Sequence, residues 1–300
     1  MTSLNQKIEL QNSQVSLFIK REDLLHPYIS GNKLRKLKYN ITEVKKLGFS
    51  KIVTFGGAFS NHIAATSYAG FLNNIETVGI IRGEELKFSW QENPTLKFAS
   101  EHGMQFKFVT REEYREKESV NLVQILKKEF GSFYLLPEGG TNELAIKGCE
   151  EILNSEDATF DYITVSVGTG GTIAGIINKS SSNQKILGFP ALKGDFLKKD
   201  ICKFAKKNNW DLISDYHFGG YAKTSSKQIL FINEFFEKYK IPLDPIYTSK
   251  MVFGVLDKIE KGYFPVGSKI LMIHTGGLQG IKGMNEKLNA KNEELIEVKY

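Results

Sequence analysis

Two periods of apolar residues run through the chain. Short β-branched or aromatic runs, KIVTF (51–55), ETVGIIR (76–82), MQFKFV (104–109), DYITVSV (161–167) and KILGFPAL (185–192), read as buried strands. KILMIHTGG (269–277) reads as a late strand that ends in a glycine turn. Between these runs the apolar spacing changes to three and four. Helices are expected over NHIAATSYAGF, over NPTLKFASEHG, as one amphipathic element across 111–130 closed by Gly131, and across 225–239. In the last of these, Ile229, Ile232, Phe236 and Tyr239 are the expected inward stripe. Asn93 as cap, Pro94 at the first helical position and Gly103 as terminator bound the second. Strands that alternate with helices predict βαβ units and parallel sheets. No internal repeat and no proline- or glycine-rich linker interrupts the pattern, so two closely packed α/β lobes are expected, with a ligand in the cleft between them.

Composition narrows the class. The chain has 300 residues, 41% hydrophobic and 25% charged, as ordinary globular proteins do. It has no apolar run long enough to span a membrane. MTSLNQKIEL has no apolar core of a secretory signal, which points to the cytoplasm. The two cysteines, Cys149 and Cys202, make no disulfide framework and lack zinc-ligand spacing, so free thiols and no metal are expected. Forty basic against thirty-four acidic residues give a net charge of +6. The lysines are dispersed among Glu and Asp, and no arginine-rich arm, RNP-like motif or zinc knuckle occurs. The excess is read as a solvated surface rather than a nucleic-acid footprint, and its modest positive field suits a small anionic substrate.

Five turns fall where expected strands or loops meet helices, the places where α/β sheets collect ligands. In SGNKLRKLKYN (30–40), Lys33 sits at a helix start with Lys36 one turn on. Charge pattern alone allows a solvated basic face; the alternative is a partly desolvated amine able to form a Schiff base. In FGGAFSNHIAA (55–65), Ser60 and Asn61 are good helix caps, and with His62 and free N–H groups they also suit a carboxylate or phenolate. VSVGTGGTIAGI (165–176) is the strongest physical signal. A strand runs into Gly168, Thr169, Gly170, Gly171 and Thr172 and then a helix, an arrangement that wraps one phosphate. It is neither the dinucleotide fingerprint, which needs glycine where Ile173 stands, nor a P-loop. In DPIYTSKMVFG (244–254), Thr248 and Ser249 read either as caps or as site residues. HTGGLQG (274–280) sets Thr275 at another glycine turn.

Taken in order, these segments resemble the fold-type II pyridoxal-phosphate enzymes, in particular the family of D-cysteine desulfhydrase and 1-aminocyclopropane-1-carboxylate deaminase. The resemblance runs through KREDLLHPYISGNKLRKL, FGGAFSNH, LPEGGTNELAIKG, VGTGGTIAG, DYHFGGYAK, DPIYTSKMVFGVLD and LMIHTGG. It implies a two-lobed α/β fold of parallel three-layer αβα sheets. Residues 1–44 and 143–300 would form the large lobe, with 45–142 inserted as the small one. It also implies pyridoxal 5'-phosphate as cofactor, a small amino acid as substrate and a homodimer. Lys33 matches the lysine bonded to the cofactor, which later moves the Cα proton, and Lys36 a basic contact to its phosphate. Asn61 matches the residue bonded to the 3′-oxygen, Ser60 and His62 positions that touch the substrate, and Gly168 to Thr172 the phosphate cup. Tyr221 and Tyr247 match two active-site tyrosines near substrate and ring, while Thr248 and Thr275 stand beside the cofactor.

Departures from the pattern decide between activities. The ring-opening deaminases carry an acidic residue where Thr248 stands, tend to an apolar one at Thr275, and have Gln at His62; the desulfhydrase branch has hydroxyls and His there. The turn after Ser60 also lacks a basic residue often present a few positions on. A carboxylate facing the pyridine nitrogen keeps the ring a strong electron sink, and a threonine hydroxyl does so poorly. Expulsion of a good β-leaving group needs less of a sink than breaking a carbon–carbon bond. The expected reaction is therefore α,β-elimination from D-cysteine to pyruvate, ammonia and hydrogen sulfide. Cyclopropane-carboxylate deamination to 2-oxobutyrate and a catalytically silent cofactor-binding protein are the alternatives.

Overall fold

A computed structural model describes residues 2–299 except 118 and 195. Ten strands are present among them: β1 (Asn5–Ile8), β2 (Ser16–Lys20), β3 (Lys51–Gly56), β4 (Glu76–Arg82), β5 (Met104–Val109), β6 (Tyr134–Leu136), β7 (Tyr162–Val167), β8 (Lys185–Pro190), β9 (Trp210–Leu212) and β10 (Lys269–Ile273). The helices that follow them are α1 (Asn32–Lys46), α2 (Asn61–Asn73), α3 (Pro94–Glu101), α4 (Arg111–Arg115), α5 (Val120–Phe130), α6 (Glu143–Glu150), α7 (Gly171–Lys179), α8 (Phe196–Cys202), α9 (Ser226–Tyr239), α10 (Thr248–Glu260) and α11 (Gly280–Asn289).

The strands form two sheets. One has the order β5-β4-β3-β6 and is wholly parallel; the other has the order β1-β2-β10-β7-β8-β9. In the larger sheet every neighbouring pair is parallel except β1 with β2, which the continuous runs did not predict. Strands such as β7 are buried on both faces because helices cover them: Ile163, Thr164, Val165, Ser166 and Val167 are all buried.

Chain order determines where a crevice opens. In the smaller sheet β3 leads outward to β4 and β5, and the chain returns to place β6 on the other side of β3. In the larger, β7 leads outward to β8 and β9, and β10 inserts between β7 and β2. Each sheet thus has a reversal point, where connections leave adjacent strands in opposite directions and a gap opens beyond their carboxyl ends. The segments after β3, β6, β7 and β10 therefore border that gap, namely 57–61, 137–141, 168–171 and 274–277.

Two expectations are corrected. The run 111–130 is not one helix but α4 and α5. Thr110 and Glu113 close a capping box on α4, and the Ser119 hydroxyl accepts from the Leu122 N–H to begin α5. In α9 the buried stripe is rotated, with Phe235 in the core and Phe236 only partly buried. The cause is Gln228, which lies fully buried on the inward face and donates to the Pro245 carbonyl (2.6 Å) and the Ser249 hydroxyl (2.9 Å).

Buried charge anchors α1. The Arg35 guanidinium donates to both Glu22 oxygens at 2.8 and 2.9 Å, and the Ser3 hydroxyl donates to the same carboxylate. Lys20, equally buried, donates to Asp157 across the larger sheet. The Arg35–Glu22 pair fixes the helix that carries Lys33 and Lys36.

Candidate active site

The start of α1 is set by a close crossing. Gly31 precedes it with φ +59°, and a Cβ there would lie 2.0 Å from the Thr275 carbonyl oxygen. Only glycine fits, so the loop after β10 presses directly on the amino end of α1. Asn32 and Lys33 follow, one accepting from the other: Lys33 Nζ donates to Asn32 Oδ1 at 3.0 Å, and Asn32 Nδ2 donates to Thr172 Oγ1 at 2.8 Å. The Lys33 amine is thus tied through one amide to the glycine turn.

That turn leads from β7 into α7. Gly170 is left-handed (φ +82°) and caps the helix, so the first N–H groups of α7 point out of the turn. Lys36 closes the other side. Its buried ammonium donates to the Gly139 carbonyl (2.8 Å) and to Thr141 Oγ1 (2.9 Å), with Thr169 Oγ1 at 3.5 Å. A Cβ on Gly171 would come within 3.0 Å of Lys36 Nζ, so the glycine leaves open the space between that amine and the helix end. Gly168 is faced by Tyr247, whose ring would lie 3.1 Å from a Cβ at this position.

Electrostatics follow from packing. Burial, with the Lys36 charge adding to it, pulls the Lys33 pKa down to about 7. Burial lowers Lys36 to about 8. Asp244 is buried nearby, and its carboxylate accepts from the Ile246, Tyr247 and Thr248 N–H groups, thereby capping α10. The alternative reading of Thr248 and Ser249 as caps is therefore overturned: Asp244 does that work. The Thr248 hydroxyl is left fully buried with no partner.

Asn61 begins α2 and lines the small pocket around Lys33 with Ser30, Thr275, Gly277 and Gln279. Its Oδ1 accepts from Gln279 Nε2 at 2.6 Å. Ser60 is the α2 cap, accepting from the Ile63 N–H at 3.4 Å. Thr275 shares a hydrogen bond of 3.2 Å with the Ser166 hydroxyl on β7. Tyr221 packs edge-on against Tyr247 with ring centres 6.2 Å apart, and burial raises both phenol pKa values.

His62, also on α2, is buried and packs against β3 and the segment after β6. Thr54 donates its hydroxyl to the Leu136 carbonyl, so it accepts from His62 Nε2–H at 2.7 Å, and Thr66 lies at 3.4 Å from Nδ1. Burial and the neighbouring lysines hold the imidazole well below its ordinary pKa, hence neutral. Both ring nitrogens thus have partners within the protein, and Cε1 abuts Gly140. Sequence reasoning passed over Asn32, Thr141, Asp244 and Lys250. Lys250 is buried and donates to the His217 and Gly220 carbonyls, both at 2.9 Å, holding the loop before Tyr221. All four lie inside motifs already singled out, and for the first two a polar residue beside a glycine turn was the available signal.

Fold and site define a two-lobed α/β enzyme that holds a phosphate-bearing ligand beside a reactive lysine. The chain belongs to the pyridoxal-phosphate dependent enzyme family, which matches residues 2–276. It is 30% identical over 292 residues to a putative 1-aminocyclopropane-1-carboxylate deaminase of Pyrococcus horikoshii, covering 91% of this chain and 87% of the relative. It is 33% identical over 296 residues to the mitochondrial bifunctional D-cysteine desulfhydrase/1-aminocyclopropane-1-carboxylate deaminase of Arabidopsis thaliana, covering 88% and 73%. A crystal structure described as an ACC deaminase homologue superposes with TM-score 0.83 at 28% identity over 97% of this chain and 94% of that one. The residues present fit pyridoxal phosphate: an anion cup at Gly168–Thr172 with Lys36, an amine at Lys33, and an orphaned buried hydroxyl at Thr248.

Proposed function

We propose that the protein catalyses α,β-elimination on a small amino acid, D-cysteine giving pyruvate, ammonia and hydrogen sulfide. The observation that carries this reading is the polar chemistry near Lys33. The pocket is lined by hydroxyl, amide and amine groups, and Thr248 offers a buried, unpaired hydroxyl where a carboxylate would make a stronger electron sink.

Bound pyridoxal phosphate supplies the sink for the electron pair left at Cα. Lys33 is the residue that would hold it and that would take the Cα proton; a pKa of about 7 leaves much of the amine neutral at physiological pH. Gly168, Thr169, Gly170, Gly171, Thr172 and Lys36 would hold the phosphate through N–H groups, hydroxyls and one ammonium. Asn61, Thr248 and Thr275 orient the ring. Ser60 and the N-terminus of α2 receive the substrate carboxylate. Tyr247 covers the cup, and Tyr221, kept protonated by burial, donates to the departing sulfur.

Ring-opening deamination of 1-aminocyclopropane-1-carboxylate is the second reading, favoured by the double activity printed in the name of the Arabidopsis relative. Assays of pyruvate from D-cysteine and 2-oxobutyrate from the cyclopropane substrate separate the two. Lys33→Ala should abolish both and remove the cofactor's visible absorbance band; an unchanged band and rate would overturn the assignment.

The same reading carries three further proposals. The chain divides into a large lobe (1–44 and 143–300) and an inserted small lobe (45–142), assembles as a homodimer and works in the cytoplasm. Two free cysteines, one of them exposed, support a reducing compartment. Light scattering on the purified protein tests the dimer. Among the described residues no helix is long and apolar enough to cross a membrane.

A further inference from the structure

Beside the pocket of Lys33 lies a second, larger cavity of about 560 Å³. One wall is the turn Gly57-Ala58-Phe59, which runs straight into Ser60 and Asn61; the other includes Tyr221, which packs on Tyr247. The cavity therefore adjoins the reaction site and is far larger than the thiol of cysteine requires.

Its charge is unbalanced. Arg82, Arg111, Arg115, Lys117 and Lys287 line it, against the carboxylates Glu85 and Glu138. Both acids are already engaged: Glu85 by Arg111, and Glu138 by the Tyr114 hydroxyl at 2.7 Å and by Lys117 at 3.4 Å. The Arg82 guanidinium has no hydrogen-bonding or ion-pair partner among the described residues. It stands at the carboxyl end of β4, beside the backbone of Gly57, with its guanidinium over the Tyr114 ring at 5.6 Å. Its charge acts on the phenols of Tyr114 and Tyr221. A planar fork of five donors with no acceptor, facing a cavity that meets the substrate site, fits a second anionic group.

We propose that Arg82 is a specificity-determining residue that selects amino-acid substrates carrying an anionic group on the β-substituent. The proposal rests on the elimination reading and names its substrate class. With an S-carboxymethyl substituent, Lys33 takes the Cα proton and the C–H pair forms the Cα–Cβ double bond. The Cβ–S bond breaks, and sulfur leaves with its electron pair as thioglycolate. Water then hydrolyses the remaining three-carbon enamine to pyruvate and ammonium. Arg82 holds the carboxylate of the leaving group throughout.

The test compares S-(carboxymethyl)cysteine with its neutral isostere S-(carbamoylmethyl)cysteine, both enantiomers, on the holoenzyme and on Arg82→Gln and Arg82→Lys. Pyruvate formation gives kcat/KM, and the change in cofactor absorbance on titration gives Kd. The wild type should prefer the anionic member about tenfold or more, the size of one charge-assisted hydrogen bond. Arg82→Gln should bring the ratio near one, and Arg82→Lys should restore part of it. A wild-type ratio near one, or a ratio that survives in Arg82→Gln, overturns the proposal. If neither D-cysteine nor either probe yields pyruvate, the elimination reading fails on its own, and the Kd ratios then decide the role of Arg82 by the same criteria.

Discussion

Lys33 and Lys36 stand three positions apart on α1, so one helical turn brings two ammonium groups to one face. Their environments separate their roles. Lys36 is held by a carbonyl and hydroxyls, whereas Lys33 meets a single amide oxygen and the field of its neighbour. An ordinary lysine, near 10.4, would gain neutral amine tenfold per pH unit up to that value. With its pKa at about 7, Lys33 gains it only up to neutrality. The rate at which the cofactor-free protein takes up pyridoxal phosphate should therefore rise from pH 5.5 and level off above about pH 7.5; a rate still climbing at pH 9 would contradict a desolvated amine. Thr248 offers a second reading of the same site. Its unpaired hydroxyl costs free energy that a ring bound beside it would recover. Thr248→Val should stabilise the cofactor-free protein by about 1 kcal/mol in urea unfolding while weakening cofactor affinity. If it instead destabilises that form and leaves cofactor affinity unchanged, the hydroxyl is not waiting for a ligand.

Three helices bring these residues together. α6 lies between α1 and α7, and glycines permit the contacts: a Cβ on Gly148 would lie 1.9 Å from the Arg35 carbonyl oxygen, and one on Gly175 2.5 Å from Cys149 Cβ. The approach sets the separation of Lys36 from the α7 turn. Gly148→Ala pushes backbone against backbone, so it should cost about 2–3 kcal/mol in denaturant unfolding and reduce cofactor affinity with it. Stability loss with unchanged affinity would mean that the helix spacing does not shape the cup. Element starts were legible because caps are local: Asn93 before α3, Ser60 before α2 and Gly170 before α7. The split of 111–130 and the rotation of α9 were not, for a physical reason. A second cap at Ser119 competes with an uninterrupted apolar period, and a buried Gln228 reads as polar although its amide nitrogen finds acceptors in Pro245 and Ser249, distant in sequence.

At the scale of the molecule, the apolar runs of β3, β4, β5, β7, β8 and β10 made parallel sheets legible, and the order of the glycine turns made the site legible. β1, β2 and β9 were not visible: they have four, five and three residues, and some of their polar positions are matched by distant partners, as Lys20 is by Asp157. The reversal points of both sheets face one cleft, so the groups that fit the phosphate come from separate parts of the chain. Lys36 lies on α1, Thr141 follows β6 of the smaller sheet, and Gly168–Thr172 follows β7 of the larger. A ligand seated there should therefore stabilise both sheets as one unit rather than a single loop. At a hundredfold excess over Kd, pyridoxal phosphate should add about 2.7 kcal/mol. For a chain of this size that is an upward shift of about 5 °C in one cooperative calorimetric transition. Lys36→Met should lose most of the shift at equal ligand concentration, because the anion then faces the cup without its buried cation. Two separate transitions, of which only one moves with the cofactor, would mean that the ligand is held by one sheet alone.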